Sequence, residues 1–260
     1  MKNGAETTLT DSSSSKGNLD EARDRLIAGE FAFIDGGCGI GGSIAYCEKT
    51  FGRGPGIGFD SSPGKIERAR ADGHPAYRAD LTSIELPERC VSFLSFLDVL
   101  EHLPDIEVTR SILANMEHVA RDFIFIRHPS FEDIDYLKAL GLKLTWTDWH
   151  GHPNMMSLAD FDALFRELGW SAPSVFGQKP ILDSTHPAIV PIDAPRDSKE
   201  YDRDRHSDKP YHRFERRIHS QFDIFVRINQ EMPDSEWEKI VHGVRKRRHR
   251  TIPLTGLGIR

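Results

Sequence analysis

The sequence is short of cysteine, of net positive charge and of long apolar runs, and each shortage excludes a class of protein. Its three cysteines are an odd number without the spacing of a metal-binding motif, so we expect reduced thiols and no disulfide framework. The formal net charge of −6 argues against a chain that coats nucleic-acid phosphates, and we expect no DNA partner. No apolar run is long enough to span a bilayer, and the first residues carry no apolar signal core. These absences predict a soluble, cytoplasmic protein.

The length of 260 residues fits one α/β domain with additions. Residues 1–18 are rich in serine, threonine and glycine, which predicts disorder. The parts expected after this segment are a core over residues 19–182, a polar insertion or lid over 183–215, the final strand of the core within 216–230, and a C-terminal extension over 231–260 with a basic tail at 245–250. For the tail, a solvated run of charge is favoured over contact with RNA or anionic lipid.

The most informative stretch is an apolar run at residues 31–34 that ends at Asp35 and leads into a cluster of glycines. The glycines of this cluster are Gly36, Gly37, Gly39, Gly41 and Gly42. Glycine is required where φ is positive and where a Cβ would block the approach of a ligand. A helical segment begins at Ser43, so the pattern predicts a strand, a tight turn and a helix. Such a unit brings backbone N–H groups close to a cofactor.

Two classes of cofactor use such a turn, and spacing alone does not separate them. The spacing Gly37-x-Gly39-x-x-Gly42 fits the dinucleotide pattern. The spacing Asp-x-Gly-x-Gly-x-Gly from Asp35 to Gly41 fits the acidic pattern of S-adenosylmethionine enzymes. Asp35 favours the second class, because a carboxylate repels a diphosphate and attracts the ammonium and sulfonium charges of S-adenosylmethionine.

Strand and helix patterns alternate five times along the first half of the chain. Apolar runs predict strands at residues 31–34, 56–60, 75–79, 91–97 and 122–126. Helical patterns lie around them at residues 19–30, 43–49, 63–70 and 104–120, and later patterns predict a helix at 158–168 and strands at 175–182 and 222–228. The alternation predicts a doubly wound parallel sheet, in which ligands bind beyond the carboxyl ends of the strands. The charged residues at those ends are Asp35, Asp60, Asp80, Asp98 and Arg127.

Four segments together resemble class I S-adenosylmethionine-dependent methyltransferases of the small-molecule type. The segments are Phe33-Ile-Asp-Gly-Gly-Cys-Gly-Ile-Gly-Gly42, Gly58-Phe-Asp60, Ala79-Asp-Leu81 and Leu97-Asp-Val-Leu-Glu-His-Leu-Pro-Asp105. They occur in the family's order and cover roughly residues 31–130. The resemblance implies a Rossmann-like fold, a mostly parallel seven-stranded sheet with helices on both faces. Its last strand, matched here by residues 222–228, would be antiparallel.

The resemblance also implies which residues hold S-adenosylmethionine. The glycine turn would cradle the methionine part, with Asp35 reaching its amino group directly or through water. Asp60 would bind the ribose hydroxyls, and Asp80 would accept from the adenine amino group. The full set of expected cofactor residues is Asp35, Gly36, Gly37, Gly39, Gly41, Asp60, Ser61, Asp80, Leu81 and Asp98. The chain departs from the family at Val91-Ser92, where relatives often have Phe-Asp, and we expect cofactor binding to be unaffected.

Residues after the fifth predicted strand are expected to bind the methyl acceptor. Residues 146–154 bring two tryptophans, two histidines and an aspartate together in nine positions. Aromatic faces suit a sugar or another polyhydroxylated molecule, and a histidine of near-neutral pKa suits deprotonation of a hydroxyl. We expect the base to be His152, then His150, then His128, with Asp148 orienting one ring of an extended segment. A metal held by His150, His152 and Asp148 is an alternative that we favour less.

These features predict methyl transfer to a hydroxyl oxygen of a polar small molecule or glycan. N-methylation is the alternative within the same class. Neither Asn/Asp-Pro-Pro-Tyr nor Pro-Cys follows the fourth predicted strand, which argues against methylation of DNA bases. A nicotinamide-dependent sugar oxidoreductase or epimerase would need a Tyr-x-x-x-Lys pair after that strand, and the sequence has none. A catalytically silent S-adenosylmethionine-binding module is a further alternative.

Overall fold

The computed structural model describes residues 10–246 and 252–253, with side chains described for residues 19–244. The chain folds into two compact units. The first consists of the residues up to Leu97 with Ser111–Ile124 and Ile228–Met232, and the second of Asp98–Arg110, Phe125–Arg227 and the residues from Pro233 onwards.

The elements of the first half of the chain follow the predicted alternation of strand and helix. They are α1 (Thr10–Ile27), β1 (Phe33–Gly36), α2 (Gly42–Phe51), β2 (Gly56–Asp60), α3 (Pro63–Ala71), β3 (Ala76–Arg78), β4 (Val91–Leu97), α4 (Ile106–Met116) and β5 (Ala120–Pro129). Short 3-10 turns lie at Leu100–His102 and Glu117–Val119. The five predicted strands of this half are therefore present, with bounds that differ by a few residues.

The elements of the second half are more irregular. They are α5 (Ile134–Ala139), β6 (Leu142–Leu144), a 3-10 turn (Thr145–Asp148), α6 (Leu158–Glu167), β7 (Ser174–Asp183), β8 (Ile189–Pro191), β9 (Arg213–Arg227), α7 (Asp234–Lys246) and β10 (Ile252–Pro253). The strand order of the main sheet is β10-β7-β9-β5-β4-β1-β2-β3. This order confirms the predicted mostly parallel sheet of seven strands, to which the two residues of β10 add an edge.

The first unit contains four parallel strands in the order β4-β1-β2-β3. Every residue of β1, β2 and β4 is buried, as expected for parallel strands that are covered on both faces. The ring of Phe93 stacks on those of Phe33 and Phe123, each with centroids 4.7 Å apart. The register places Asp35, in the central strand, opposite Gly58 of β2 and Ser95 of β4.

The second unit contains the antiparallel last strand predicted at residues 222–228, which lies within β9. β7 pairs antiparallel with β9, with Phe176 opposite Asp223, and β10 pairs antiparallel with β7. A separate two-stranded sheet joins β6 to β8, with Leu144 opposite Ile189. One buried apolar cluster holds this small sheet together, formed by Leu137, Leu142, Leu144, Ile181, Ile189, Phe214 and Ile218.

Three segments differ from the sequence-based expectation. α1 begins at Thr10, within the segment expected to be disordered, of which residues 1–9 lie outside the described part of the chain. β9 begins at Arg213, nine residues before the predicted start at residue 222. The sequence did not indicate this start, because exposed charged residues at 213 and 215–217 interrupt the apolar pattern in the first half of the strand. α7 occupies much of the expected C-terminal extension, while the side chains of the basic tail lie outside the described residues.

Within the described part of the chain, none of the helices has the length and apolar character needed to cross a membrane.

Candidate functional site

The glycine turn between β1 and α2 has the backbone conformation that the sequence predicts. Gly37, Gly39 and Gly41 have φ values of 74°, 55° and 93°, a region that glycine adopts without strain. A Cβ at Gly36 would lie 2.4 Å from the ring of Phe96, so the end of β1 also packs too closely for any other residue. A Cβ at Gly39, by contrast, would meet no protein atom within 4 Å. The turn therefore leaves space beside its backbone.

Asp35 lies in β1 immediately before this turn, and it is completely buried. Its carboxylate accepts hydrogen bonds from the hydroxyl of Ser95, at 2.6 Å, and from that of Ser43. Burial raises the pKa of Asp35 to about 6, although both serine hydrogen bonds favour the charged form. Since no part of the side chain is exposed, a ligand amino group would interact with Asp35 through water or through its field.

Asp60 connects the end of β2 to the glycine turn. Its Oδ2 accepts from the backbone N–H of Gly39 at 3.0 Å, and its Oδ1 accepts from the N–H of Ser62 at 2.8 Å. Each carboxylate oxygen keeps a second lone pair, so these contacts leave capacity for two ligand hydroxyls. Ser61 is exposed next to Asp60. The structure thus brings together three of the predicted cofactor residues, Gly39, Asp60 and Ser61.

Asp80 and Leu81 follow β3 in an ordered turn. Asp80 is exposed, and its Oδ1 accepts from the backbone N–H and the hydroxyl of Thr82, at 2.9 and 2.7 Å. Leu81 is buried, and its carbonyl accepts from the amide of Asn115 at 3.2 Å. Asp80 acts here as the first residue of a turn, and its other oxygen has no partner that would compete with a ligand among the described residues.

Asp98, directly after β4, belongs to a polar network of the second unit. It has a φ of 54°, its N–H donates to the carbonyl of Arg127 at 3.0 Å, and its Oδ1 accepts from the amide of Gln221 at 2.9 Å. The guanidinium of Arg127 is buried and pairs with Asp223 at 2.7 Å, while Gln178 donates to the other oxygen of Asp223 at 2.6 Å. Arg127, which the sequence places among the charged residues at the strand ends, is therefore engaged in a buried ion pair.

Sequence reasoning missed Asp223 and its partners, although a signal exists. Asp223 interrupts the apolar run of β9, and Arg127 ends that of β5. A charged side chain inside a buried strand needs a partner of opposite charge. Asp223 and Arg127 could therefore have been predicted to form an ion pair with each other.

A second cluster of the second unit contains Glu101, His102 and His152. One potential ligand atom from each residue lies within 4.8 Å of those of the other two. Glu101 is only 1% exposed, and its Oε2 has no hydrogen-bond partner among the described residues. Burial raises the pKa of Glu101 to about 8, and the charge of Asp98 adds to this effect.

Both imidazoles of this cluster are oriented by backbone carbonyls. The Nδ1–H of His102 donates to the carbonyl of Gly151 at 2.6 Å, and the Nδ1–H of His152 donates to that of Trp146 at 2.9 Å. The ring centroids of the two histidines lie 4.9 Å apart. Donation from Nδ1 leaves the lone pair of each Nε2 available. Burial lowers the pKa of His152, and the neighbouring His102 contributes, so the surroundings favour the neutral ring.

The segment that carries His152 is fixed from two sides. The side-chain amide of Asn154 donates to the carbonyl of Leu100 and to the hydroxyl of Thr109, both at 2.9 Å. The indole of Trp149 packs edge-on against His152, with centroids 4.5 Å apart, and remains 42% exposed. An exposed aromatic face thus adjoins the histidine pair.

The sequence predicts that His150 and His152 lie on one side of an extended segment, and the structure differs from this prediction. The N–H of His152 donates to the carbonyl of Trp149, so the segment turns at this point. The imidazole of His150 is exposed and pairs with Asp197 at 2.9 Å. Asp148 pairs with Lys143 at 2.6 Å and orients neither histidine. The alternative metal set of His150, His152 and Asp148 is therefore not assembled.

His128, the third predicted base, is enclosed in apolar surroundings. It is 1% exposed, packs edge-on against Phe131 and Phe161, and donates from Nδ1 to the carbonyl of Pro129 at 2.8 Å. Burial lowers its pKa to about 3, so the ring is neutral and weakly basic. A catalytic role for His128 stays a prediction.

Cys38, inside the glycine turn, packs as a small apolar side chain. It is buried, and its Sγ would lie 2.5 Å from a Cβ at Gly58. Burial raises the pKa of the thiol well above its usual range, which is unfavourable for a reactive thiolate.

Comparison with known proteins matches more than half of the chain to a protein family. Residues 17–174 match the model of a family described as a methyltransferase domain. No curated protein sequence matches the chain significantly.

Solved structures of similar fold come from several organisms. A SAM-dependent methyltransferase from Archaeoglobus fulgidus is 16% identical, covers 83% of this chain and 97% of its own, and has a TM-score of 0.52. A Thermotoga maritima protein described as a SAM-dependent methyltransferase, possible histamine N-methyltransferase, is 13% identical over 84% of this chain and 95% of its own, with a TM-score of 0.49. The magnesium protoporphyrin IX methyltransferase of Synechocystis with bound SAH is 14% identical over 86% and 90%, with a TM-score of 0.44. The first of these supports a shared fold.

Proposed function

We propose that this chain, which belongs to the methyltransferase domain family, methylates a hydroxyl oxygen of a polar small molecule or glycan. The methyl donor is S-adenosylmethionine. The observation that carries the choice of a hydroxyl is the pair of oriented imidazoles, His102 and His152, beside an exposed tryptophan face. A sugar-like acceptor offers hydroxyls to the imidazoles and an apolar ring face to Trp149.

The residues of the first unit fit S-adenosylmethionine. The glycine turn leaves open space where a Cβ at Gly39 or Gly42 would meet no protein atom, which is a cradle for a ligand and not a packing requirement. Asp60 keeps lone pairs for the ribose hydroxyls, and the buried charge of Asp35 suits a cationic methionine moiety. Gly36, Gly37, Gly41, Ser61, Asp80 and Leu81 complete the proposed set of the first unit, and the expected role of Asp98, which belongs to the second unit, stays a prediction.

The bound cofactor supplies an electrophilic methyl group, and the chain supplies alignment and a proton acceptor. We assign the proton of the acceptor hydroxyl to Nε2 of His152, whose Nδ1–H is held by the carbonyl of Trp146. The lowered pKa of His152 favours the unprotonated form of this nitrogen. His150 and His128 are the second and third proposals for the base.

The polar insertion supports the acceptor side of this proposal. Asp197 of the insertion accepts from the backbone N–H of His150 at 2.8 Å, and its own N–H donates to the carbonyl of Asp148 at 3.0 Å. These bonds hold the chain two residues before His152. We propose that the insertion shapes the acceptor site.

The proposal is tested by methyl transfer from isotopically labelled S-adenosylmethionine to a panel of sugars, phenols and amines. Mass spectrometry and NMR of the product distinguish a methyl ether from an N-methyl group. We expect methyl ethers from hydroxyl acceptors. Transfer to amines alone would contradict the proposed acceptor while leaving the methyltransferase activity intact.

A further inference from the structure

The cluster of Glu101, His102 and His152 has the composition of a metal site. Two imidazoles and one carboxylate, with ligand atoms mutually within 4.8 Å, match a set that binds zinc and similar divalent cations in proteins. Three protein ligands leave coordination positions for water or a substrate oxygen. His102 is exposed, which gives an ion a path to the other two ligands.

The second observation is the state of the Glu101 carboxyl. Its side chain is buried, its Oε2 has no hydrogen-bond partner, and no described cation pairs with it. Burial disfavours the charged form of such a carboxyl group unless a positive charge lies beside it. A divalent cation between this oxygen and the two imidazoles would supply that charge.

The third observation is the orientation of the two imidazoles. Histidines that bind metals almost always donate their other ring N–H to a carbonyl or carboxylate, which fixes the tautomer and the direction of the free nitrogen. His102 donates from Nδ1 to Gly151, and His152 donates from Nδ1 to Trp146. Both Nε2 lone pairs are thereby available together, next to Glu101.

We propose that Glu101, His102 and His152 bind a divalent cation of the zinc type through one carboxylate oxygen and two Nε2 atoms. The set differs from the His150, His152 and Asp148 of the sequence-based alternative, because His150 is paired with Asp197 and Asp148 with Lys143. The consequence for catalysis rests on the proposed function: with a cation bound, His152 would be a metal ligand and not the base that accepts the proton. A cation on its Nε2 would polarise the acceptor hydroxyl and so lower its pKa, and the hydroxyl proton would pass to solvent water as the methyl group is transferred, and not to the ring.

The test uses the full chain, dialysed against a chelator and titrated with Zn²⁺ and with Co²⁺. We expect one high-affinity equivalent of Zn²⁺ by competition with a chromophoric chelator, and a visible absorption band on loading with Co²⁺. Glu101→Gln and His152→Ala should each weaken Zn²⁺ binding by about 100-fold or more and abolish the Co²⁺ band. If the wild-type chain binds no equivalent of either ion, the proposal is overturned.

His150→Ala is the matched control, because His150 lies in the same loop but points to Asp197. It should bind Zn²⁺ as the wild type does. Loss of binding in His150→Ala with retention in Glu101→Gln would place the ion elsewhere and refute the assignment. The exposed His102 offers His102→Ala as a substitution with little risk to folding, and it should also lose binding.

Binding of S-adenosylhomocysteine, measured on each variant without metal, separates this inference from the proposed function. Retained S-adenosylhomocysteine binding shows that a variant is folded. A wild-type chain that binds S-adenosylhomocysteine but no metal would refute the metal site alone. A chain that binds Zn²⁺ but no S-adenosylhomocysteine would refute the proposed function and leave the metal site standing.

Discussion

Asp35 carries a buried carboxyl that has no cationic partner among the described residues. Ser43 and Ser95 donate to it, yet burial still raises its pKa to about 6. A carboxyl with a raised pKa binds its proton more tightly in the folded chain than in the unfolded one. Its contribution to folding is therefore fully present below the unfolded pKa, near 4, and is lost as the pH rises through about 6.

We expect Asp35→Asn to remove this pH dependence. Between about pH 4.5 and pH 7, the free energy of unfolding of the wild type should fall relative to the variant by about 2 kcal/mol. Urea unfolding of both proteins at each pH measures the difference. Asp72→Asn, at the exposed end of α3, is the matched control and should show no such change. A difference that stays constant with pH would mean that Asp35 is not perturbed in the folded chain.

His152 carries the proposed chemistry through one nitrogen atom. His152→Ala should reduce turnover by about 10²–10⁴-fold, the usual contribution of a positioned base. The affinity for S-adenosylhomocysteine should stay within about twofold, because the expected cofactor residues of the first unit are untouched. Steady-state kinetics and calorimetry give the two quantities. His150→Ala tests the second proposal for the base in the same assay, and full activity of His152→Ala would remove His152 from the mechanism.

Single residues at strand ends could be predicted, whereas their long-range partners could not. Asp60 follows an apolar run and a family motif, both of which are local features of the sequence. Arg127 binds Asp223, which is 96 positions away, and only the folded sheet brings the two together. The same holds for Glu101 and His152, which three-dimensional structure places within ligand distance.

At the scale of elements, the polar insertion between β7 and β9, which contains β8, is the part of the chain whose structure the sequence predicts least well. Asp197 binds the loop that leads to His152, so the insertion holds that loop in place. We expect replacement of residues 195–206 by a glycine-serine linker of equal length to reduce turnover more than about tenfold. Binding of S-adenosylhomocysteine should be unchanged.

The matched control for this replacement is a glycine-serine exchange of residues 203–205, which are exposed and leave Asp197 in place. Turnover assays and calorimetry on both variants decide the role of the insertion. Undiminished turnover after the longer replacement would show that the insertion does not shape the acceptor site.

Elements that carry their own signal were predicted well. β4 is a run of seven residues that are all buried, and its bounds match the sequence-based ones. β6 and β8 have three residues each, and a pattern of this length is too short to be recognised as a strand without its partner strand. α7 carries the buried Ile240, Val241 and Val244 at helical intervals among charged residues, an amphipathic pattern from which this helix could have been predicted.

At the scale of the whole molecule, the change in thermal stability on adding a ligand shows which cofactor the folded chain binds. A ligand that binds only the folded chain stabilises it by about 2.7 kcal/mol when present at 100 times its dissociation constant. We expect S-adenosylhomocysteine to raise the melting temperature and NAD to leave it unchanged. The reason is electrostatic, because a diphosphate next to Asp35 and Asp60 would meet two carboxylates, whereas the amino group of the methionine moiety would be attracted.

Asp60→Asn tests this choice without removing the side chain that holds Gly39. The amide oxygen can still accept from one of the two backbone N–H groups that Asp60 binds, those of Gly39 and Ser62, whereas the other loses its acceptor and the negative charge is lost. Affinity for S-adenosylhomocysteine should fall by roughly 1.5–3 kcal/mol, the contribution of hydrogen bonds to a charged group, and the thermal shift should shrink accordingly. Asp72→Asn should keep the full shift, since Asp72 is exposed at the end of α3. A chain stabilised by NAD and not by S-adenosylhomocysteine would overturn the assignment of the glycine turn, because two carboxylates beside the cradle would then be tolerating a diphosphate.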